Sequence, residues 1–107
     1  MAEMVLREIA HMLLRDLRDP RLRGITVTRV RMSDDLRHGR VFFSHIEGQK
    51  HAHEAAKGFR SASGFIRRRV GQGLGLRFTP DLDFEFDPGL ESAARIDALL
   101  REGYPKQ

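Results

Sequence analysis

The chain has 107 residues, 40% hydrophobic and 32% charged, with a formal net charge of +4 and no cysteine. That length suits one independently folding domain spanning residues 1–107, and the missing cysteine excludes disulfides and thiolate metal sites. No apolar run approaches a membrane span, and Glu3, Arg7 and Glu8 interrupt the first apolar residues too early for a signal peptide. A cytoplasmic protein without membrane contact is therefore expected.

Glu3 to Arg18 reads as an amphipathic helix. Val5, Leu6, Ile9, Ala10, Leu13 and Leu17 form one stripe at helical spacing, with Arg7, His11, Arg15 and Arg18 opposite. Asp19-Pro20 ends it, because the residue before proline avoids the helical region. Ile25 to Met32 is rich in β-branched residues and reads as a strand. Ser33 to Gly39 is a polar loop, in which Asp34-Asp35 suits turn formation by Asx side chains better than acid-base work. Arg40 to Ile46 is a second strand, with Val41 and Phe43 on one face and Phe42 and Ile46 on the other. The short link predicts an antiparallel hairpin.

From about His51 the helical period returns: Ala52, Ala55, Phe59, Ala62, Ile66 and Val70 make a buried stripe. Lys57, Arg60, Ser61, Gly64, Arg67 and Arg68 then face outward, and Gly71-Gln72-Gly73 is expected to end the helix. Leu76 to Phe86 is extended and broken at Pro80; Leu82, Phe84 and Phe86 alternate with Asp83 and Glu85. Asp87-Pro88 can start a final helix through Leu100. The order α-β-β-α-β-α predicts an α+β domain with helices on a small sheet.

Charge is unevenly placed. Ala55 to Pro80 holds Lys57, Arg60, Arg67, Arg68, Arg69 and Arg77 and no acid, while the residues from Asp81 onward are mainly acidic. A concentrated basic surface is the footprint of a polyanion binder. With 16 Arg against three Lys, guanidinium forks suited to phosphate dominate. Arg31, Arg37 and Arg40 around the hairpin form a second, weaker basic cluster. Gly58 and Gly64 sit inside the second helix, where Gly costs about 1 kcal/mol relative to Ala. Small residues at Ala62-Ser63-Gly64 serve equally for close packing or for close approach of a phosphate backbone to a kinked helix. His51 and His53 lack the further ligand pair of a zinc site, so no metal is expected. No nucleophile motif or phosphate-cradling loop occurs, so neither catalysis nor a cofactor is expected.

The order of elements and several strings resemble the ribosome-binding factor A family of bacterial small-subunit assembly factors. The strings are Asp19-Pro20-Arg21-Leu22, Ile25-Thr26-Val27-Thr28, Ser33-Asp34-Asp35-Leu36, Ala62-Ser63-Gly64-Phe65-Ile66-Arg67, and Leu76 through Phe84. The resemblance implies a KH-like fold of type II: a three-stranded sheet, an N-terminal helix, a C-terminal helix, and a helix kinked at Ala62-Ser63-Gly64 in place of the GxxG loop. No GxxG occurs here. In KH domains that loop clamps single-stranded nucleotides, so its loss fits recognition of folded RNA by shape and charge. The resemblance further implies binding to 16S ribosomal RNA and the free, immature small (30S) subunit, help in maturing the 16S 5′ end, a role in cold adaptation, and other assembly factors as candidate partners. The basic N-terminal arm and longer C-terminal tail common in the family are largely absent here.

The reading that emerges is a monomeric RNA-binding domain. Lys57, Arg60, Arg67 and Arg68 are expected on phosphates, Arg69 and Arg77 at the flanks, and Ser63 and Gly64 at the point of close approach. The alternatives are a general nucleic-acid module, or a protein adaptor using the acidic face of Asp81, Asp83 and Glu85.

Overall fold

The computed structural model of the chain describes residues 1–88. The final helix expected from Asp87 to Leu100 lies largely outside them. Helix α1 spans Ala2–Arg15 and strand β1 Ile25–Met32. Strand β2 spans His38–His45, helix α2 Ala52–Gly73 and strand β3 Asp81–Phe86. The sheet order is β1-β2-β3, antiparallel between β1 and β2 and parallel between β2 and β3.

Several boundaries differ from those expected, for local reasons. Helix α1 stops at Arg15 rather than at Arg18, and a short 3-10 turn follows at Pro20–Leu22. The Asp19 carboxylate accepts the Arg21 backbone N–H at 2.9 Å and pairs with the Arg21 guanidinium at 2.6 Å. Helix α2 does end at Gly73, as expected, and its closing turn is completed at Gly75, whose φ is +64°. There the Gly75 N–H donates to the Gln72 carbonyl at 3.2 Å and the Leu76 N–H to the Gly71 carbonyl at 2.9 Å. That paired pattern is a Schellman ending, which needs the left-handed conformation glycine adopts without strain. Residues 76–80 are not strand; β3 begins only after buried Pro80.

β1 carries a bulge. Val27 pairs with Phe43 and Arg29 with Phe42, leaving Thr28 as the extra residue. Val27 and Val30 are both buried although three apart, which strict alternation forbids. The bulge reconciles them, and sends Arg29 and Arg31 to the other face. Thr28 Oγ1 donates to Asp87 Oδ2 at 2.9 Å.

Both helices lie on one face of the sheet. Val5, Ile9 and Met12 of α1 and Ala55, Phe59, Ile66 and Val70 of α2 share a core with Val27, Val30, Val41, Phe43 and Leu82. Phe59 is its centre: its ring stacks on Phe84 at 4.5 Å and meets Phe43 at 5.0 Å. On the opposite sheet face Phe42 is only 7% exposed, with the Arg29 guanidinium 4.2 Å over its ring. Ile46, expected in β2, lies beyond the strand and is 82% exposed.

Gly58 has a packing reason. A Cβ there would lie 3.0 Å from Leu22 Cδ2 and 3.2 Å from Arg21 Cβ, so the helix and the 3-10 turn meet through the missing side chain. Helical backbone continues unbroken through Ala62-Ser63-Gly64. A helix therefore stands where a GxxG loop would interrupt it.

Phe59→Ala should remove about 3–5 kcal/mol, a large part of the roughly 5–15 kcal/mol typical of a domain, and leave the chain unfolded or nearly so by urea denaturation. Hydrogen bonds from Arg21, Ser33 and His51 hold the carboxyls of Asp19, Asp35 and Glu47, respectively, below their ordinary values. A depressed native value adds stability above the unfolded value and loses it as pH falls. Stability from these groups should thus hold from neutral pH downward and decline below about pH 4–5, where unfolded carboxylates protonate. Rising stability on further acidification, followed by urea denaturation, would contradict these pairings.

Candidate nucleic-acid interface

Burying one stripe of α2 fixes where the rest of its surface points. Three strips remain. Ala56, Arg60 and Ser63 line a groove of about 230 Å³ with Leu82, Asp83 and Phe84 of β3. Lys57, Ser61, Gly64 and Arg68 recur at steps of three or four and form the outward crest. Phe65 and Arg69 turn toward α1, where the Arg69 guanidinium pairs with Asp16 at 3.1 Å and lies 5.5 Å over Phe65.

The basic residues of this region are not equivalent. Arg60 and Arg68 are exposed and have no ion-pair partner among the described residues. Lys57 pairs with Glu54 at 3.3 Å, an exposed i,i+3 contact that solvent and a phosphate can displace. Arg67 has an internal task. Its Nε donates to the Pro80 carbonyl at 2.9 Å and its Nη2 pairs with Asp81 at 2.8 Å, which clasps the C-terminal half of α2 to the start of β3. A phosphate would have to compete with both. Arg69 is likewise engaged with Asp16. Arg77, just after the helix, is exposed and has no ion-pair partner among the described residues.

Gly64 differs from Gly58. A Cβ at Gly64 would meet only the tip of Arg68, Nη1 at 3.3 Å, and nothing else outside its own helix backbone. The fold does not need a glycine there. What its bare backbone offers is a place on the crest where a ligand can approach closely, with Arg68 folded against it and Ser63 beside it on the groove side. Ala62 turns the other way and packs partly buried on the core.

The hairpin cluster lies elsewhere. Arg31 and Arg40 are cross-strand partners on the sheet face away from the helices, where Arg40 pairs with Glu85 at 3.5 Å. Arg37 sits in the hairpin loop with its guanidinium 4.4 Å over Phe78. Of these three only Arg31 lacks a cation-π or ion-pair partner within the described residues. The structure thus separates the two basic clusters onto different surfaces. The acidic strand face is partly neutralised from within, since Asp81 is held by Arg67 and Glu85 by Arg40. None of these long-range pairings has a local signal in the sequence; Asp16 and Arg69 are about fifty positions apart.

Among the described residues one group of possible metal ligands comes together: His45, Glu47 and His51, with ligand atoms within 4.8 Å of one another. The donor chemistry opposes a metal. His45 Nδ1 accepts the Glu47 backbone N–H at 2.9 Å. That leaves the proton of a neutral ring on Nε2, the atom a metal would need, whereas ligating histidines present a donor on the second nitrogen. His51 Nε2 is already 2.6 Å from Glu47 Oε1. No helix among the described residues is long and apolar enough to cross a membrane.

Comparison with known proteins agrees with this architecture. The family model for ribosome-binding factor A matches residues 1–100. The ribosome-binding factor A of Syntrophus aciditrophicus is 46% identical over 102 residues, covering 94% of this chain and 82% of that protein. The crystal structure of ribosome-binding factor A from Thermus thermophilus superposes with a TM-score of 0.67 at 24% identity, covering 78% of this chain and 88% of that one. A homology model of the same T. thermophilus factor, fitted into a cryo-EM map of its complex with the 30S subunit, gives 0.62 at 24% identity, covering 77% and 86%. The mixed sheet with both described helices on one face is the KH-like fold of these structures. The chain belongs to the ribosome-binding factor A family.

Proposed function

We propose that this protein binds the immature small ribosomal subunit by laying the crest of α2 along the phosphate backbone of folded 16S ribosomal RNA, without catalysis. In this reading Arg60 and Arg68 contact phosphates directly, Lys57 joins them by exchanging Glu54 for a phosphate, and Gly64 and Ser63 admit the backbone closely. Arg77 and Arg69 lie at the flank, and Arg67 holds the helix in place. One observation carries the proposal. The crest and its groove edge set two exposed guanidiniums, neither ion-paired within the described residues, around a glycine whose missing side chain no packing contact requires. Unpaired Arg beside a stretch without a Cβ suits a phosphate, which takes bidentate guanidinium donors and can pack closely where no side chain intervenes.

Family membership supports the target, and the T. thermophilus relative has been placed on a 30S subunit. Assistance in maturing the 16S 5′ end and in growth in the cold belong to the same proposal, as expected consequences of occupying an immature subunit. The described residues give single-strand readout little support. The helix replaces the nucleotide-clamping loop, and of the described phenylalanines only Phe65 is exposed, with Arg69 over its ring.

Arg60→Gln with Arg68→Gln should leave the melting temperature unchanged, because both side chains are exposed. It should weaken co-sedimentation with precursor small subunits about tenfold or more and lower the salt slope by about two, one per lost phosphate contact. Unchanged binding would remove the crest from the interface. Arg67→Gln should instead lower stability before it lowers binding. Gly64→Ala separates fold from function most sharply. It should raise helix stability by about 1 kcal/mol while weakening subunit binding; a stabilised variant that binds as well as the parent would contradict close approach at this point.

A further inference from the structure

Helix α1 presents a second face of the same character. Arg7, His11, Leu14 and Arg15 are all exposed. At about 100° per residue Arg7, His11 and Leu14 fall on the side opposite the buried Val5, Ile9 and Met12, and Arg15 falls on its flank toward α2. Arg18, also exposed, follows just past the helix end. None of these three arginines has an ion-pair partner among the described residues. Two of the three acids of α1 and its C-cap are engaged elsewhere. Asp16 is held by Arg69, and Glu8 lies toward the end of α2, where its carboxylate would be 2.6 Å from a Cβ at Gly73. Glu3 stands one turn before Arg7 without forming an ion pair with it. Solvated helix faces normally interleave both signs. Here the contacts with α2 draw Asp16 and Glu8 aside and leave Glu3 as the one acid beside three exposed arginines.

The position of α1 gives this face a partner. Both helices cover the same side of the sheet. Asp16 meets Arg69 while Glu8 approaches Gly73, so α1 runs antiparallel to α2 beside its C-terminal half. Packed helices have axes about 8–10 Å apart. The crest of α2 and the outer face of α1 are therefore two cationic ridges of one surface, joined by the Arg69–Asp16 pair, rather than opposite sides of the molecule. Arg7 and Arg15 stand about 12 Å apart along the axis at 1.5 Å per residue, and Arg18 extends the row past the helix end. The row is long enough to meet more than one phosphate. Leu14, 83% exposed in its middle, adds a small apolar contact for a ribose.

We infer that the outward face of α1, carrying Arg7 and Arg15 and continued by Arg18, is a second phosphate-binding ridge that grips the backbone of the ribosomal RNA alongside the α2 crest. Its occupant is RNA, because a run of three guanidiniums that outnumbers the one acid beside it complements a continuous polyanion. The inference rests on the proposed binding to the small subunit, and it adds that binding requires both helices.

The test uses the full chain with Arg7→Gln, Arg15→Gln and Arg18→Gln combined, compared with the parent and with the Arg60→Gln/Arg68→Gln variant. Affinity for purified precursor small subunits and for protein-free 16S ribosomal RNA is measured across salt, with circular dichroism melting as the folding control. The triple variant should melt like the parent, bind both targets at least about tenfold more weakly, and show a salt slope lower by about three. If the parent and the triple variant bind equally, with equal slopes, while the α2 variant is impaired, the α1 ridge is idle and the inference fails although the proposed function stands. If the triple variant loses affinity for subunits but not for protein-free RNA, α1 meets a ribosomal protein and the RNA assignment is overturned. Absence of parental binding to subunits would sink both readings. Should the triple variant melt early, Arg7→Gln and Arg18→Gln tested singly must each still lower the slope by about one, or the inference fails.

Discussion

The parallel pairing of β3 with β2 is the constraint on which the rest depends. Two parallel neighbours cannot be joined by a tight turn; the chain must cross back over the sheet, and a helix is the usual way. Here α2 is that crossover. It must bury one stripe on the sheet, so its opposite stripe must face solvent. Phe59, stacked on Phe84 and tilted against Phe43, fixes its rotation about its own axis. The Arg67 clasp on Pro80 and Asp81 fixes where β3 starts. Rotation and register together decide which residues become the crest. Turning the helix by a single residue would set Arg60 and Arg67 against the sheet in place of Phe59 and Ile66, so the basic surface is specified by the same packing that holds the domain together.

Electrostatics then sorts the cations into two groups. Arg21, Arg29, Arg40, Arg67 and Arg69 each have an acid within the described fold. Surface pairs of this kind contribute little stability individually. Those of Arg21, Arg67 and Arg69 nonetheless occupy Asp19, Asp81 and Asp16 around the helical layer. What remains there, Arg60 and Arg68 on α2 and Arg7, Arg15 and Arg18 on and after α1, is positive without an ion pair among the described residues. The outer surface of the helical layer is thereby left with an excess of positive charge among the described residues. On the other sheet face Arg29 and Arg40 are set among Phe42, Glu85 and Asp87, and Arg31 is left without such a partner among the described residues.

Much of this was legible in the sequence because periodicity is a local property. The stripes of both long helices, the hairpin and the alternation of Leu82, Phe84 and Phe86 all emerged from spacing alone. Boundaries were less legible. Helix α2 ends within the expected Gly71-Gln72-Gly73, yet the left-handed conformation that a Schellman ending demands is supplied by Gly75, outside that string. The bulge at Thr28 needed the pairing register, which no single strand carries. The site was legible as a charge distribution and not as a set of roles. Arg67 and Arg68 are adjacent and chemically identical, yet one clasps β3 and the other is exposed on the crest, a distinction made by Pro80 and Asp81 from the far side of a loop. Gly58 and Gly64 were likewise indistinguishable until the 3-10 turn at Pro20–Leu22 was seen to fill the space beside one of them.

In the proposed complex the helical layer, and not the open sheet, faces ribosomal RNA. Because the chain contains no cysteine, single cysteines can carry a tethered hydroxyl-radical source without background. The most direct measurement is cleavage of 16S ribosomal RNA in small subunits bound to two such variants, Ser61→Cys on the α2 crest and Thr26→Cys on β1. Discrete strand cuts are expected from Ser61→Cys and few or none from Thr26→Cys. Strong cuts from Thr26→Cys with none from Ser61→Cys would place the RNA on the opposite face and contradict the proposed complex.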